Sequence, residues 1–216
     1  TLLRFFQQGG ILCSNNDALD HFHFSLEQMA LGGIFDAVHG GFSRYAVDAE
    51  WHIPHFEKMG YDNGQLISLY AQAFREKPLP LYHETVGKTI SFLINELSSP
   101  EGGFYAALDA DSLTKKDKLV EGAFYIWTLK EIEHLFPDEY PLVAAFYSIN
   151  DDGYWEDSNY VLRRMQTDEA FAKLNDLELS DLKSKVIRWN KALLKERNKR
   201  TRPRLDDKII CSWNAI

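Results

Sequence analysis

Residues 32–66 have the sequence GGIFDAVHGGFSRYAVDAEWHIPHFEKMGYDNGQL, and this stretch decides the fold. It contains a predicted loop of about 25 residues, a length that within a compact domain indicates either a functional loop or disorder. The stretch is rich in aromatic and ionisable side chains, and its aromatic content argues against disorder. We therefore predict an ordered functional loop. The alternative is an ordered structural loop whose polar groups satisfy helix ends.

Helical periodicity dominates on both sides of this loop. Asn15 is a suitable N-cap for the preceding helix, which ends at Gly32. Thr128 and Glu131 have the spacing of a capping box at the start of a later helix. Helices are predicted at about 15–31, 63–74, 82–97, 128 onward, 139–147 and 180 onward. The residues expected to be buried on the 82–97 helix are Val86, Ile90, Leu93, Ile94 and Leu97.

A glycine turn followed by aromatic residues recurs at 40–42, 102–105 and 153–155. Recurrence at about 50–60 residues, with helices between, predicts a repeated helical hairpin. The 216 residues hold about three and a half such units. We therefore expect a mainly α fold forming one incomplete domain over residues 1–216, a fragment of a longer chain. Segments 103–108 and 122–128 are predicted to pair as a small β-hairpin, with 115–118 as its exposed tip.

Composition excludes several classes of protein. The net charge of −8 argues against nucleic-acid binding, which needs a basic surface. No run approaches about 18 consecutive apolar residues, so no membrane-spanning helix is predicted. The start lacks the pattern of a signal peptide. Cys13 and Cys211 form no CxxC motif, which is compatible with a reducing compartment. We expect a cytoplasmic protein whose partners include neither nucleic acid nor a membrane.

The loop supplies the first set of candidate catalytic residues. His55 and Glu57 follow Pro54 near the predicted start of the next helix, where an imidazole and a carboxylate could act as acid and base. The helix dipole is expected to lower both pKa values. Asp62 is a further candidate in the same loop. The alternative is that Glu57 only complements the first helical turn.

Ligand-binding roles are predicted for five more residues. Arg44 is placed to hold a hydroxyl or a carboxylate, and three aromatic residues, Tyr45, Trp51 and Trp127, to stack on a ring. Trp213, at the start of the last predicted helix, could face the same space, although a salt-bridged loop before that helix explains the 202–208 region equally well.

Asp109 and Asp111 form a second acidic group, with Glu121 nearby in sequence. The two aspartates would lie on one face if the strand continues to them. Paired carboxylates are typical of glycoside hydrolysis or of a hard cation site. An exposed acidic turn is an equal alternative. A cation loop would carry more oxygen ligands at regular spacing, so we predict no metal and no cofactor.

Four motifs, in order along the chain, resemble the YyaL-like family: the stretch 32–66, GGFYAALDADS at 102–112, EGAFYIWT at 121–128 and PRLDDKIICSWNAI at 203–216. Members of that family join a thioredoxin-like domain to a six-hairpin, glycosidase-type toroid. The resemblance implies that this chain is the first half of an (α/α)6 toroid. Similar toroids occur in N-acylglucosamine 2-epimerases and cellobiose 2-epimerases, whose sites lie on loops at the mouth of the ring.

The resemblance implies a sugar-processing domain, either epimerase- or isomerase-like or glycosidase-like, that acts on a carbohydrate or sugar-like small molecule. Epimerase-type catalysis uses a histidine from the later half of the ring, so this half alone is expected to be inactive. The alternatives are a non-catalytic toroid that binds glycans or a protein and supports a thioredoxin-like domain, and a purely structural helical domain. A half-ring would expose a broad apolar edge, which favours self-association.

Overall fold

The computed structural model describes residues 2–114 and 116–216. The helices are α1 (Leu2–Cys13), α2 (Asn16–Leu31), α3 (Gly60–Glu76), α4 (Pro80–Phe92), α5 (Leu129–Leu135), α6 (Tyr140–Phe146), α7 (Asp168–Leu174), α8 (Leu179–Arg197) and α9 (Cys211–Asn214). A π-helical turn, Leu93–Leu97, extends α4. The strands are β1 (Lys58–Met59), β2 (Ala107–Leu108), β3 (Asp111–Leu113), β4 (Leu119–Glu121), β5 (Trp127–Thr128), β6 (Asn159–Tyr160) and β7 (Leu205–Asp206).

Neighbouring helices pack in sequential pairs, α1 on α2, α3 on α4, α5 on α6 and α7 on α8. The prediction of a mainly α fold is therefore confirmed, and the arrangement is consistent with a partial helical toroid. The predicted caps are also present. The side chain of Asn15 accepts a hydrogen bond from the Ala18 amide at 3.2 Å, and Thr128 and Glu131 form the complete capping box. Among the described residues, none of the helices is both long and apolar enough to cross a membrane.

The apolar interior has two large parts. One is built from α2, α3, α4 and the start of the 32–66 stretch, around Phe22, Phe42 and Tyr70. The other is built from α5 to α8, around Trp127 and Trp189. The buried apolar residues of α8 are those that a helical stripe predicts: Leu182, Val186, Trp189 and Leu193. The 32–66 stretch contributes to both parts, so it lies where the two halves of the chain meet.

The predicted buried stripe of α4 is partly wrong. Ile90 and Ile94 are 41% and 57% exposed. The observed buried face instead includes Thr85 and Thr89, whose hydroxyl groups donate to the carbonyl oxygens four residues earlier, at 2.8 and 2.7 Å. Because these bonds satisfy the hydroxyl groups internally, threonine is tolerated in the core, and a purely hydrophobic pattern misses this face.

The predicted β-hairpin between 103–108 and 122–128 is also wrong. Strand β2 pairs with β1 on one side and β7 on the other, in a three-stranded antiparallel sheet. The hairpin of this region is instead β3 with β4, in which Asp111 lies opposite Glu121. The predicted tip at 115–118 lies between these two strands, and its first residue falls outside the described residues. Pairing partners far away in sequence, β1 and β7, occupy the edges that a local hairpin would need.

Candidate functional site

The central part of the 32–66 stretch is a two-stranded antiparallel ribbon. The Arg44 amide donates to the Glu57 carbonyl at 2.8 Å, and the His55 amide donates to the Tyr45 carbonyl at 2.9 Å. Phe56, between His55 and Glu57, is 2% exposed and points into the protein. Because alternate residues of an extended segment point to opposite faces, the side chains of His55 and Glu57 are directed to the other side. The ribbon thus presents two of the predicted catalytic residues, His55 and Glu57, on one face.

Arg44 and Glu57 form an ion pair on this face. The Arg44 Nη1 atom donates to Glu57 Oε2 at 3.2 Å. The pair is partly open to solvent, with 48% of the Arg44 side chain and 26% of the Glu57 side chain exposed. The hydrogen bond that Arg44 donates to Glu57 raises the pKa of Arg44, so the guanidinium stays charged throughout the physiological range. A ligand at this face would meet a fixed cation next to a carboxylate.

His55 is held between an aromatic ring and a carboxylate. Its Nδ1 atom lies 2.7 Å from Glu121 Oε1, and its ring stacks on Tyr45 with centroids 4.8 Å apart. The bond to Glu121 fixes the orientation of the imidazole and leaves Nε2 as the ring nitrogen available for proton transfer. Glu121 is supplied by β4, so the β3–β4 hairpin positions the imidazole.

Asp62 lies in the first turn of α3. Its Oδ2 atom is buried and has no hydrogen-bond partner among the described residues. Burial raises the pKa of Asp62, the charge of Arg44 opposes this change, and the charge of Glu57 adds to it. A buried carboxylate oxygen without a partner costs stability, so Asp62 is better suited to the chemistry of a bound ligand than to holding the fold together.

The expected link between His55, Glu57 and the helix dipole is not observed. Helix α3 begins at Gly60, so both residues precede it on the extended segment before β1. The acidic residue of the first helical turn is Asp62. Residues 58–59 pair with β2, so a short strand lies between His55 and Glu57 and the start of the helix.

The structure also places the remaining predicted residues. Trp127 is fully buried in the α5–α8 core, and the guanidinium of Arg200 covers its ring at 4.2 Å from the centroid. It therefore offers no face to a ligand, which corrects its predicted stacking role. Trp51 packs against the core of α2, α3 and α4. Trp213 lies on α9 and contacts the ring of Tyr61 edge-on at 4.7 Å.

Asp109 and Asp111 do not form the predicted pair on one strand face. Strand β2 ends at Leu108 and β3 begins at Asp111, so Asp109 lies in the bend between them. Its Oδ1 atom accepts a hydrogen bond from the amide of Ala110 at 2.8 Å, as in a local turn. Across residues 2–114 and 116–216, the structure contains no group of three or more His, Cys, Asp or Glu side chains placed to hold a metal ion.

Sequence reasoning missed a buried ion cluster beneath the ribbon. Asp36 lies 2.9 Å from both Lys58 Nζ and an Arg197 guanidinium nitrogen. Burial would raise the pKa of Asp36, but the two cations outweigh it and hold the pKa well below its usual range. Burial, together with the repulsion of Arg197, lowers the pKa of Lys58 to about 8 despite the attraction of Asp36. Both pKa values are lowered, which favours the charged form of Asp36 and the neutral form of Lys58, because one carboxylate is shared by two cations.

This cluster fixes the candidate site to α8. Lys58 directly follows Glu57 on the ribbon, and Asp36 and Arg197 are separated by 161 positions in sequence. No local pattern could have predicted that contact. The sequence offers one weak signal, Asp36, a single charged residue within the apolar segment 33–38.

A cavity of about 550 Å³ lies between α4, α7 and α8. Its most buried charge, Arg164, is already paired with Asp168 at 2.8 Å and with Glu84 at 3.6 Å. These pairs link α4 to the segment before α7. Because its principal charge is satisfied within the protein, the cavity is a weaker candidate for chemistry than the face of the ribbon.

The known proteins that are similar in sequence to this chain are much longer than it is. No protein-family model matches this chain. An uncharacterized protein of Caenorhabditis elegans is 36% identical over 213 residues, covering 89% of this chain and 29% of the relative. Spermatogenesis-associated protein 20 is 34% identical in human and in mouse, with 89% of this chain and 27% of the relative covered in each case. The chain thus spans less than a third of these relatives, and their names specify no reaction.

Proposed function

We propose that the 32–66 stretch forms an acid–base site for a sugar or a sugar-like small molecule, within a toroid of the YyaL-like type. The observation that carries the proposal is Asp62, a half-buried carboxyl group with a raised pKa and an unpartnered oxygen, beside the Arg44–Glu57 ion pair. Groups with perturbed pKa values concentrate at functional sites. Two carboxyl groups in different protonation states can serve as acid and base.

The roles follow from the surroundings of each group. We assign Asp62, whose pKa is raised by burial, as the group that donates a proton to a ligand oxygen, and Glu57, held by Arg44, as the group that accepts one. Arg44 binds a hydroxyl or carbonyl oxygen of the ligand. His55, oriented by Glu121, is a second proton carrier. This set suits an epimerase or isomerase that moves a proton beside a carbonyl, and it also suits a glycosidase.

A non-catalytic binding role is the second candidate. The pairing of both His55 and Glu57 with protein side chains favours it, since such pairs also arise purely to orient a loop. Tyr45, which is 47% exposed, would then supply a stacking surface for a glycan. This role predicts ligand binding without any product.

The first test is a thermal-shift screen of the natural full-length protein against mono- and disaccharides, amino sugars included. A ligand at about 100 times its dissociation constant should add about 2.7 kcal/mol to stability. A well-folded protein that no saccharide stabilises would contradict the proposal.

The second test is turnover of the best ligand by the Glu57→Gln variant. We expect turnover to fall by about 10²–10⁴-fold, because the proton acceptor is lost. The melting temperature should barely change, because the Arg44–Glu57 pair is partly exposed and contributes little to stability. The matched control is Glu133→Gln, an exposed position on α5. Full turnover by Glu57→Gln would remove this residue from the chemistry.

A further inference from the structure

The cavity between α4, α7 and α8 has the size and the walls of a binding site for a small molecule. Its volume of about 550 Å³ is several times that of an apolar cavity that holds one benzene molecule, about 150 Å³. Apolar side chains from the α3–α4 region, Phe74, Pro78 and Leu81, line it together with Val186 and Ile187 of α8. Small-molecule sites are typically apolar cavities of this kind that contain a few polar groups.

Four charged side chains form a chain of ion pairs in this cavity. Lys88 Nζ lies 2.8 Å from Glu84 Oε1, and Arg164 Nη1 lies 3.6 Å from Glu84 Oε2. The same Arg164 nitrogen donates to Asp168 Oδ1 at 2.8 Å. Glu84 therefore has two cationic partners. Asp168 has one, which it shares with Glu84, and among the residues that the structure describes it forms no other ion pair.

The charge of Asp168 is less well compensated than that of Glu84. Burial would raise the pKa of Glu84, but the charges of Arg164 and Lys88 outweigh it and lower that pKa. Burial raises the pKa of Asp168, the charge of Arg164 opposes this change, and the charge of Glu84 adds to it. A further cation beside Asp168 would favour its ionised form. An anion beside Arg164 would instead be repelled by the two carboxylates already there.

We propose that this cavity binds an amphipathic amine, a small molecule whose apolar body packs against Leu81 and Val186 and whose ammonium group pairs with Asp168. An ammonium group and a carboxylate form a charge-assisted hydrogen bond, which fixes the orientation of the ligand. The apolar walls supply affinity through the surface that they remove from water. The inference does not depend on the proposed function, because the cavity shares no residue with the 32–66 stretch.

Three ligands that differ only in their polar end test the charge preference. Phenylbutylamine, phenylbutyrate and phenylbutanol share the same ring and chain, and calorimetry measures their binding to the natural full-length protein at neutral pH. We expect the amine to bind about tenfold more tightly than the alcohol, because only the amine forms a charge-assisted bond to Asp168, and the butyrate to bind most weakly. Equal affinities of the amine and the alcohol would overturn the inference. Tightest binding of the butyrate, or no binding of the amine at millimolar concentration, would also overturn it.

Ile187→Lys tests the location of the site. It places a cation in the wall of the cavity at a side chain that is 70% exposed, so the fold should tolerate it. The matched control is Leu174→Lys, at a side chain of α7 that is 72% exposed and is not part of the described cavity wall. We expect Ile187→Lys to weaken binding of phenylbutylamine by about tenfold and Leu174→Lys to change it by less than about twofold. Equal affinity of Ile187→Lys and the wild type would overturn the inference.

Asp168→Asn tests the partner of the ammonium group. In this variant the amine should lose its advantage over the alcohol, because the carboxylate that distinguishes them is gone. A tenfold preference for the amine that persists in a folded Asp168→Asn variant would overturn the assignment of Asp168. If the loss of the bond to Arg164 unfolds this variant, the comparison of Ile187→Lys with Leu174→Lys still decides the inference.

Discussion

At the scale of single residues, His39 makes the stability of the folded protein depend on pH. Its Nδ1 atom lies 3.3 Å from Glu96, which favours the charged imidazole. Burial nevertheless lowers the pKa of His39 to about 4, and the cations Arg197, Lys58 and Arg202 act in the same direction against the attraction of Asp36. Burial and three cations together outweigh the two carboxylates. His39 is therefore neutral in the folded protein near pH 5 and charged in the unfolded chain.

The sign of the pH dependence follows from this difference. Between the ordinary pKa of 6.5 and the folded value of about 4, the unfolded chain binds the extra proton. Stability from this group is therefore lost as the pH falls through that window. We predict that it contributes about 2 kcal/mol to the decrease in unfolding free energy between pH 7 and pH 5.

His39→Gln should remove that contribution. Urea unfolding of the wild type and the variant at both pH values measures it, with His134→Gln as a control at an exposed position on α5. The expected result is a smaller loss of stability on acidification in His39→Gln than in the other two proteins. Equal losses in all three would refute the buried neutral state of His39.

At the scale of elements, the β3–β4 hairpin packs on the ribbon of the candidate site through Gly122. This residue has φ of 71°, in the left-handed region, and directly follows Glu121, the partner of His55. A side-chain carbon at Gly122 would lie 2.4 Å from a ring carbon of Phe56. The end of the hairpin therefore packs directly on the ribbon that carries His55 and Glu57.

Gly122→Ala should lower the free energy of unfolding by about 2–3 kcal/mol, because backbone strain is added to overlap with a buried ring. Gly102→Ala is the matched control. It also has a positive φ, of 96°, but open space where the side chain would lie, so it should cost only the strain of about 1 kcal/mol. Denaturant unfolding measures both variants. Equal losses would mean that the contact between Gly122 and Phe56 does not hold the hairpin in place.

The elements also show what the sequence could predict. Helices such as α8 follow from their apolar period, and α5 follows from its capping box, because these signals are local. The pairing of β1, β2 and β7 could not be predicted, since two-residue strands carry almost no pattern and their partners are far apart in sequence. The buried face of α4 was missed because it contains threonines, whose hydroxyl groups donate to backbone carbonyl oxygens of the same helix and can therefore be buried.

In the candidate site too, contacts within one segment could be predicted from the sequence, and contacts between distant segments could not. Arg44, Tyr45, His55 and Glu57 come together because one ribbon carries all four, and a dense loop is visible in the sequence. The partner of His55 on the β3–β4 hairpin could not be predicted, because it depends on how that hairpin folds back. Trp127 was wrongly predicted to bind a ligand. A tryptophan near a glycine turn is typical of a binding loop, but this one is fully buried.

At the scale of the whole molecule, the 32–66 stretch joins the two halves of the chain. The Asp36–Lys58–Arg197 cluster ties it to α8, and the Arg164 amide donates to the Leu31 carbonyl at 2.7 Å just before the stretch begins. Removing one member of a buried cluster leaves charge without a partner, at a cost of about 3–5 kcal/mol. The face carrying Asp62 is thus built on a rigid base, which suits an acid–base site that must hold its groups in fixed positions.

The most direct test of this account is the turnover of a bound saccharide by the Asp62→Asn variant of the natural full-length protein. Mass spectrometry in D₂O detects either deuterium beside a carbonyl or a cleaved glycosidic bond. Because Asp62 has a buried oxygen without a partner, its removal should leave the melting temperature equal or higher. We predict that turnover falls by about 10²–10⁴-fold in this stable variant. Turnover equal to that of the wild type would contradict the acid–base site.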